Sequence, residues 1–145
     1  VHTHSPANLA VSAQRDGLLP ITQQAMRFYN RIAYYANEVD DTTPDGSRHL
    51  AQQLGDKWVM ILENHGALIC GTTLPEAYIF HHFFELACRA QIGALAGGVA
   101  LIAPNAEVCA ERVKKFGRMG QYDANSRDWI ASMALVEKLH SDYKE

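Results

Sequence analysis

A chain of 145 residues, 48% of them hydrophobic, is long and apolar enough to bury one core, which argues against a disordered tract and makes a single domain the expectation. Its net charge is -3, from 13 basic and 16 acidic side chains that are scattered rather than blocked, so no basic stripe offers itself to a phosphate backbone and nucleic acid is not an expected partner. The longest uncharged apolar stretch, residues 92–103, contains a double glycine and falls short of the roughly 20 residues a membrane helix needs, so no membrane association is expected.

No secretory signal is visible, and Cys70, Cys88 and Cys109 are far apart, odd in number and set in apolar contexts. Reduced core thiols and a cytoplasmic location are the expectation.

The chain opens VHTHSP. Residues 1–4 read as the end of a strand, because Ser5 and Pro6 then supply an N-cap and a first-turn proline for a helix to about Gln14, closed by Gly17. A second helix is expected from Thr22, carrying Ala25, Met26, Phe28 and Tyr29, and residues 32–35 (IAYY) form a short strand. Residues 37–47 are polar, with four acidic side chains, Pro44 and Gly46, and read as a surface loop before a helix ending near Leu54 and Gly55.

The clearest segment is KWVMIL, then ENHG, then ALIC: two strands joined by a turn in which Asn64 and Gly66 tolerate positive φ. Both strands are apolar without alternation, so both faces should be covered. Thr73 as N-cap, Pro75 in the first turn and Glu76 in the capping-box position then launch a helix to about Ala96, apolar nearly all round and therefore central. Gly97 and Gly98 end it, VALIA reads as extended, Pro104 and Asn105 start a helix to about Phe116, and Asp128 starts a last one to about His140. Strands alternating with helices around a hairpin imply an α/β fold with a mixed sheet.

His2 and His4, two apart on a strand, present both imidazoles on one face, a spacing suited to one ion but equally to a satisfied or surface pair. His65 stands in the turn between two buried strands, at a sheet end, where sites are built. It could instead bond only its own turn. Three neutral imidazoles with an open fourth position constitute a catalytic zinc site, so His2, His4 and His65 are the candidate metal ligands. His81 and His82 point about 100° apart on their helix and read as core or interface residues, while His49 and His140 read as solvated. Glu85 and Arg89, one turn apart, are expected to pair, the alternative being that Glu85 faces the site. Gly93, Gly97 and Gly98 serve packing and helix termination. No phosphate-binding Gly-Lys-Ser/Thr loop, Gly-x-Ser-x-Gly elbow or Cys-His nucleophile pair is present.

In combination, HTHSPANLAVSA, GLLPIT, ILENHGALICGTTLPEAY and ACRAQ resemble the class II aldolase/adducin family from residue 1 to about Gly98, and the tail DWIASMALVEKLHSDYKE looks like that of bacterial members. The resemblance implies a three-layer α/β/α domain with a mixed, mostly antiparallel sheet. It implies that His2, His4 and His65 hold zinc or another divalent metal, which binds hydroxyl and carbonyl oxygens of a small sugar phosphate or sugar acid and stabilises an enediolate as a carbon–carbon bond is cleaved or formed.

It further implies a homo-oligomer, commonly a tetramer, with sites at subunit interfaces. Members carry a phosphate-binding loop and an acidic acid/base or ligand residue before this His-x-His. Residues 1–145 are therefore expected to be one such domain, incomplete at the N-terminus, whose catalytic acid/base lies upstream of Val1 and which is inactive alone. The alternative is an adducin-like assembly domain without catalysis; GLLPI is shared with that branch.

Overall fold

The structure is a computed structural model, described here over residues 1–36 and 43–144. Its elements are β1 (His2–Thr3), α1 (Pro6–Ser12), α2 (Gln23–Met26), β2 (Ile32–Tyr35), α3 (Pro44–Leu54), β3 (Val59–Leu62), β4 (Gly66–Ile69), α4 (Leu74–Ala96), α5 (Ala106–Lys114) and α6 (Arg127–Leu139). A short 3-10 turn, Ser141–Lys144, follows the last helix.

The four strands form one sheet in the order β1-β4-β3-β2. β3 and β4 are the expected hairpin, with Leu62 opposite Gly66, and β1 adds antiparallel to β4, with His2 opposite Leu68. β2 runs parallel to β3, so the chain crosses between them, and α3 lies on that crossover. The sheet is therefore mixed, with two antiparallel pairings and one parallel.

Alternation along β3 explains why the sheet is covered twice. Val59 and Ile61 join Val11, Phe28, Phe80 and Phe84 under α1, α2 and α4, while Met60 and Leu62 join Tyr35, Leu50, Leu54 and Leu68 under α3. Helices thus lie on both faces, and all four residues of β3 are buried. The first cluster is the larger. Phe28, Phe80 and Phe84 are essentially inaccessible, and burying each stabilises the fold by about 2–3 kcal/mol. Trp58 stacks on Phe80 at 4.8 Å on one side and carries the Arg31 guanidinium at 3.6 Å from its ring centre. Burial beside Arg27 lowers the Arg31 pKa to about 10.

Several elements differ from the sequence expectation. α1 stops at Ser12 rather than Gln14, and Gly17, at φ +57, closes the loop after it instead of the helix itself. Ser5 stands at the N-cap of α1 but makes no side-chain cap bond, because its hydroxyl is engaged elsewhere. α3 begins at Pro44 behind Thr43, whose hydroxyl accepts the Gly46 N–H, so the helix claims the end of the expected 37–47 loop; residues 37–42 lie outside the described residues. VALIA forms no strand, and Val99 and Ile102 are exposed. α4 is central but one-sided, since Leu74, Tyr78, Leu86 and Leu95 reach solvent. A Cβ at Gly93 would meet open space, so that glycine does not serve packing.

Glu76 is the largest departure. Its side chain passes over the capping-box target and accepts the Thr72 N–H at 2.8 Å, the Gly120 N–H at 2.8 Å and the Gln121 N–H at 3.0 Å. It ties the segment after α5 to the start of α4.

Candidate metal centre

The same alternation that packs β3 sets the direction of the histidines. Thr3, opposite Ala67, faces α4, so His2 and His4 project to the other face, at the sheet end where the β3–β4 turn lies. That turn is held from three sides: the Glu63 N–H donates to the Tyr35 carbonyl at 2.9 Å, the Asn64 N–H to the Ser12 carbonyl at 3.1 Å, and the His65 N–H to the Leu62 carbonyl at 3.0 Å. Asn64 and Gly66 both take positive φ, +56 and +141, as the sequence suggested.

The turn delivers His65 onto His2, in β1, and His4, the residue that follows the strand rather than its expected last member. Ring centres lie 4.6 Å apart for His2 and His4, 5.1 Å for His2 and His65, and 4.9 Å for His4 and His65. One nitrogen of each lies within 4.8 Å of the others, with His2 and His4 exposed and His65 half-buried. A tetrahedral ion with metal–nitrogen bonds of about 2.0–2.1 Å needs its nitrogens about 3.4 Å apart, inside that limit and within reach of small rotamer changes.

The chemistry of the set fits as well. His2 Nδ1 lies 3.1 Å from the Ala67 carbonyl oxygen, which can only accept, so Nδ1 is the donor and, in the neutral ring, Nε2 carries the lone pair. A ligating imidazole is ordinarily held in this way. With His2 anchored on a carbonyl, His65 held by its turn and His2 and His4 exposed, the three rings can hold a divalent metal and leave a position for a small molecule.

Beside His2, a cavity of about 330 Å³ runs beneath α3, walled by Leu50, Ala51, Leu54, Leu62 and Leu68. No Lys or Arg lines it, so the described residues there offer apolar contact to a ligand and no charge for a phosphate.

Of the other histidines, His81 is half-buried with Nε2 3.0 Å from the Thr3 hydroxyl, and desolvation lowers its pKa despite the nearby Glu85. His82 packs beside Phe83, and His49 lies 5.8 Å from the Tyr35 ring rather than standing free in solvent. His140 is exposed at the end of α6. The Glu85–Arg89 pair forms at 3.4 Å, but the other Glu85 oxygen reaches the N-cap of α1 and accepts from Ser5 at 2.6 Å. The three cysteines are unpaired, and burial pushes the Cys88 thiol strongly upward. No helix among the described residues is long and apolar enough to cross a membrane.

Sequence reasoning missed the polar residues under the histidines. Asn8 is 1% exposed, and its amide nitrogen donates to Thr3 Oγ1 at 2.8 Å and Ser5 Oγ at 2.7 Å, the two residues flanking His4. A buried Asn within an otherwise apolar helical turn was the available signal.

The profile of the Class II Aldolase and Adducin N-terminal domain family matches residues 1–92. A crystal structure of an aldolase II superfamily protein from Pseudomonas syringae is 38% identical, with a TM-score of 0.88 over 100% of this chain and 58% of that one. L-fuculose 1-phosphate aldolase from Glaciozyma antarctica PI12 is 26% identical, with a TM-score of 0.75 over 97% of this chain and 52% of that one. Gamma-adducin of Homo sapiens is 38% identical over 100 residues, covering 67% of this chain and 14% of that protein. The chain spans 54–58% of the length of its bacterial relatives.

Proposed function

Because the chain belongs to the class II aldolase and adducin family, we propose that His2, His4 and His65 are the divalent-metal ligands, zinc by preference, of a lyase active site. In its complete form the protein would cleave or form a carbon–carbon bond of a small sugar phosphate or sugar acid. The observation that carries this reading is the convergence of the three imidazole nitrogens within 4.8 Å at an open sheet end. A divalent ion there supplies Lewis-acid polarisation of substrate hydroxyl and carbonyl oxygens.

The chain's own residues do the positioning. Ala67 fixes the tautomer of His2, and the β3–β4 turn fixes His65 through its bonds to Ser12, Tyr35 and Leu62. Leu50, Leu54, Leu62 and Leu68 give the cavity beside His2 an apolar wall against which the carbon chain of a substrate can pack.

A second reading, an adducin-like assembly domain, is favoured by the gamma-adducin match and by Ile130, Leu135 and Leu139, which α6 leaves exposed. The metal content of protein purified without added zinc separates the two. The lyase reading expects about one equivalent, lost in a His2→Ala, His4→Ala, His65→Ala triple variant; stoichiometric metal surviving in that variant ends it. Aldehyde release from L-fuculose 1-phosphate is the first activity to assay, on the complete protein.

A further inference from the structure

Behind the histidines, a chain of hydrogen bonds runs from α4 through β1 and back to α4. Arg89 Nε pairs with Glu85 Oε1 at 3.4 Å; Ser5 Oγ donates to Glu85 Oε2 at 2.6 Å; Asn8 Nδ2 lies 2.7 Å from Ser5 Oγ and 2.8 Å from Thr3 Oγ1; and Thr3 Oγ1 lies 3.0 Å from His81 Nε2.

The direction of the bonds from Glu85 through Ser5 and Asn8 to Thr3 follows from one group. The Glu85 carboxylate only accepts, so the Ser5 hydroxyl proton goes to it, and the Ser5 oxygen must then receive an N–H from Asn8. That orients the Asn8 amide. Its second N–H goes to Thr3, whose own hydroxyl proton is free to go to His81 Nε2; in that arrangement the His81 proton sits on Nδ1. The Asn8 oxygen finds no partner among the described residues, so the amide gives up one bond to bridge both neighbours of His4.

We propose that Asn8 is the positioning residue of the histidine site: by bridging Thr3 and Ser5 in the direction dictated by Glu85, it fixes the backbone of His4 and so the geometry in which the three imidazoles take a metal. The proposal rests on the metal reading above. Its distinctive consequence is that the direction of the chain can be reversed as a unit. In Asn8→Asp, two carboxylates contest the single Ser5 proton and nothing donates to Thr3. Adding Glu85→Gln resolves the conflict: the Gln amide donates to Ser5, the Ser5 and Thr3 hydroxyls donate to the new carboxylate, and His81 moves its proton to Nε2 to donate to Thr3.

The test titrates Co²⁺ into the purified, metal-stripped protein, following its visible absorption, at a temperature where circular dichroism shows each variant folded. Wild type is expected to bind, Asn8→Asp to bind 10- to 100-fold more weakly, and the Asn8→Asp, Glu85→Gln pair to recover to within about threefold. Thr3→Val removes an acceptor without adding charge and serves if Asn8→Asp does not fold; about tenfold weaker binding is expected. The His81 tautomer is read in metal-free protein by long-range ¹⁵N–¹H NMR, with the proton on Nδ1 in wild type.

A wild type that takes no Co²⁺ overturns the metal reading. A wild type that binds while folded Asn8→Asp or Thr3→Val binds equally well overturns the positioning role and leaves the metal reading standing. A wild-type His81 proton on Nε2 overturns the assigned direction.

Discussion

The carboxylate of Glu76, in the first turn of α4, accepts the backbone N–H of Gly120 at 2.8 Å, joining residues 44 apart in sequence. With Thr72 and Gln121 also donating, the group is fully buried yet well solvated by protein. Desolvation alone would raise its pKa, but the donors outweigh it, and the carboxyl lies below its ordinary value.

A carboxyl lowered on folding contributes stability that is fully present above its unfolded pKa, about 4.3, and is lost as pH falls through the folded value. Glu76→Gln is therefore expected to lower stability at pH 7 by about 1–3 kcal/mol, and the gap in melting temperature from wild type should shrink between about pH 5 and pH 2. Thermal melts across that range check it. A gap that does not change with pH would show that the charge contributes nothing.

Gly66 and Gly93 should respond oppositely to alanine. At Gly66, φ is +141 and a Cβ would stand 2.5 Å from the Thr3 carbonyl oxygen and 3.0 Å from His4 Cδ2, so Gly66→Ala should cost about 2–3 kcal/mol and displace β1. At Gly93, inside α4 with nothing within 4 Å, Gly93→Ala should stabilise by about 0.5–1 kcal/mol. Urea denaturation of both variants measures the two signs.

Gln91 clamps the loop after α1. Its Nε2 donates to the Gly17 carbonyl at 2.7 Å and to Gln14 Oε1 at 2.6 Å, and its Oε1 accepts the Leu19 N–H at 2.6 Å. Gln91→Glu puts an acceptor where two acceptors already wait, and should destabilise by about 2–4 kcal/mol at neutral pH. Gln91→Ala should cost slightly less, because the cavity can admit water. Chemical denaturation at pH 7 orders the two; equal stability for Glu and wild type would remove Gln91 from the account.

His2, His4 and His65 should act as one unit. Each single alanine variant is expected to weaken Zn²⁺ binding at least 100-fold, with little change in the melting temperature of the metal-free protein, since His2 and His4 are exposed. Calorimetric titration with Zn²⁺ decides it. One histidine whose loss leaves affinity unchanged is not a ligand.

These residues also show what a sequence makes legible. The histidine triad could be read in advance because each member depends on local structure: two on strand alternation, one on a short turn between apolar runs. The hairpin, the Thr73 cap, the helix starts at Thr22 and Asn105 and most of α4 were legible for the same reason. Roles set by partners far along the chain were not. Ser5 has the residue type and position of a cap, but Glu85, 80 residues away, takes its proton. Glu76 looks like half of a capping box until Gly120 competes for it. VALIA has strand composition, yet it pairs with none of the four strands, and β propensity without a partner does not make a strand.

Three of those distant partnerships fall on α4 at Glu76, Glu85 and Gln91, holding in turn the C-terminal segment, the histidine strand and the loop after α1. At about 1.5 Å per residue the helix is a ruler, setting the first two marks about 14 Å apart and the last two about 9 Å apart. A ruler tolerates anything hung between its marks and nothing inserted along its edge. Extra residues in the loops it holds would leave the spacing intact, whereas a single residue added between Glu76 and Glu85 would turn every later mark by about 100° and release two of the three segments together.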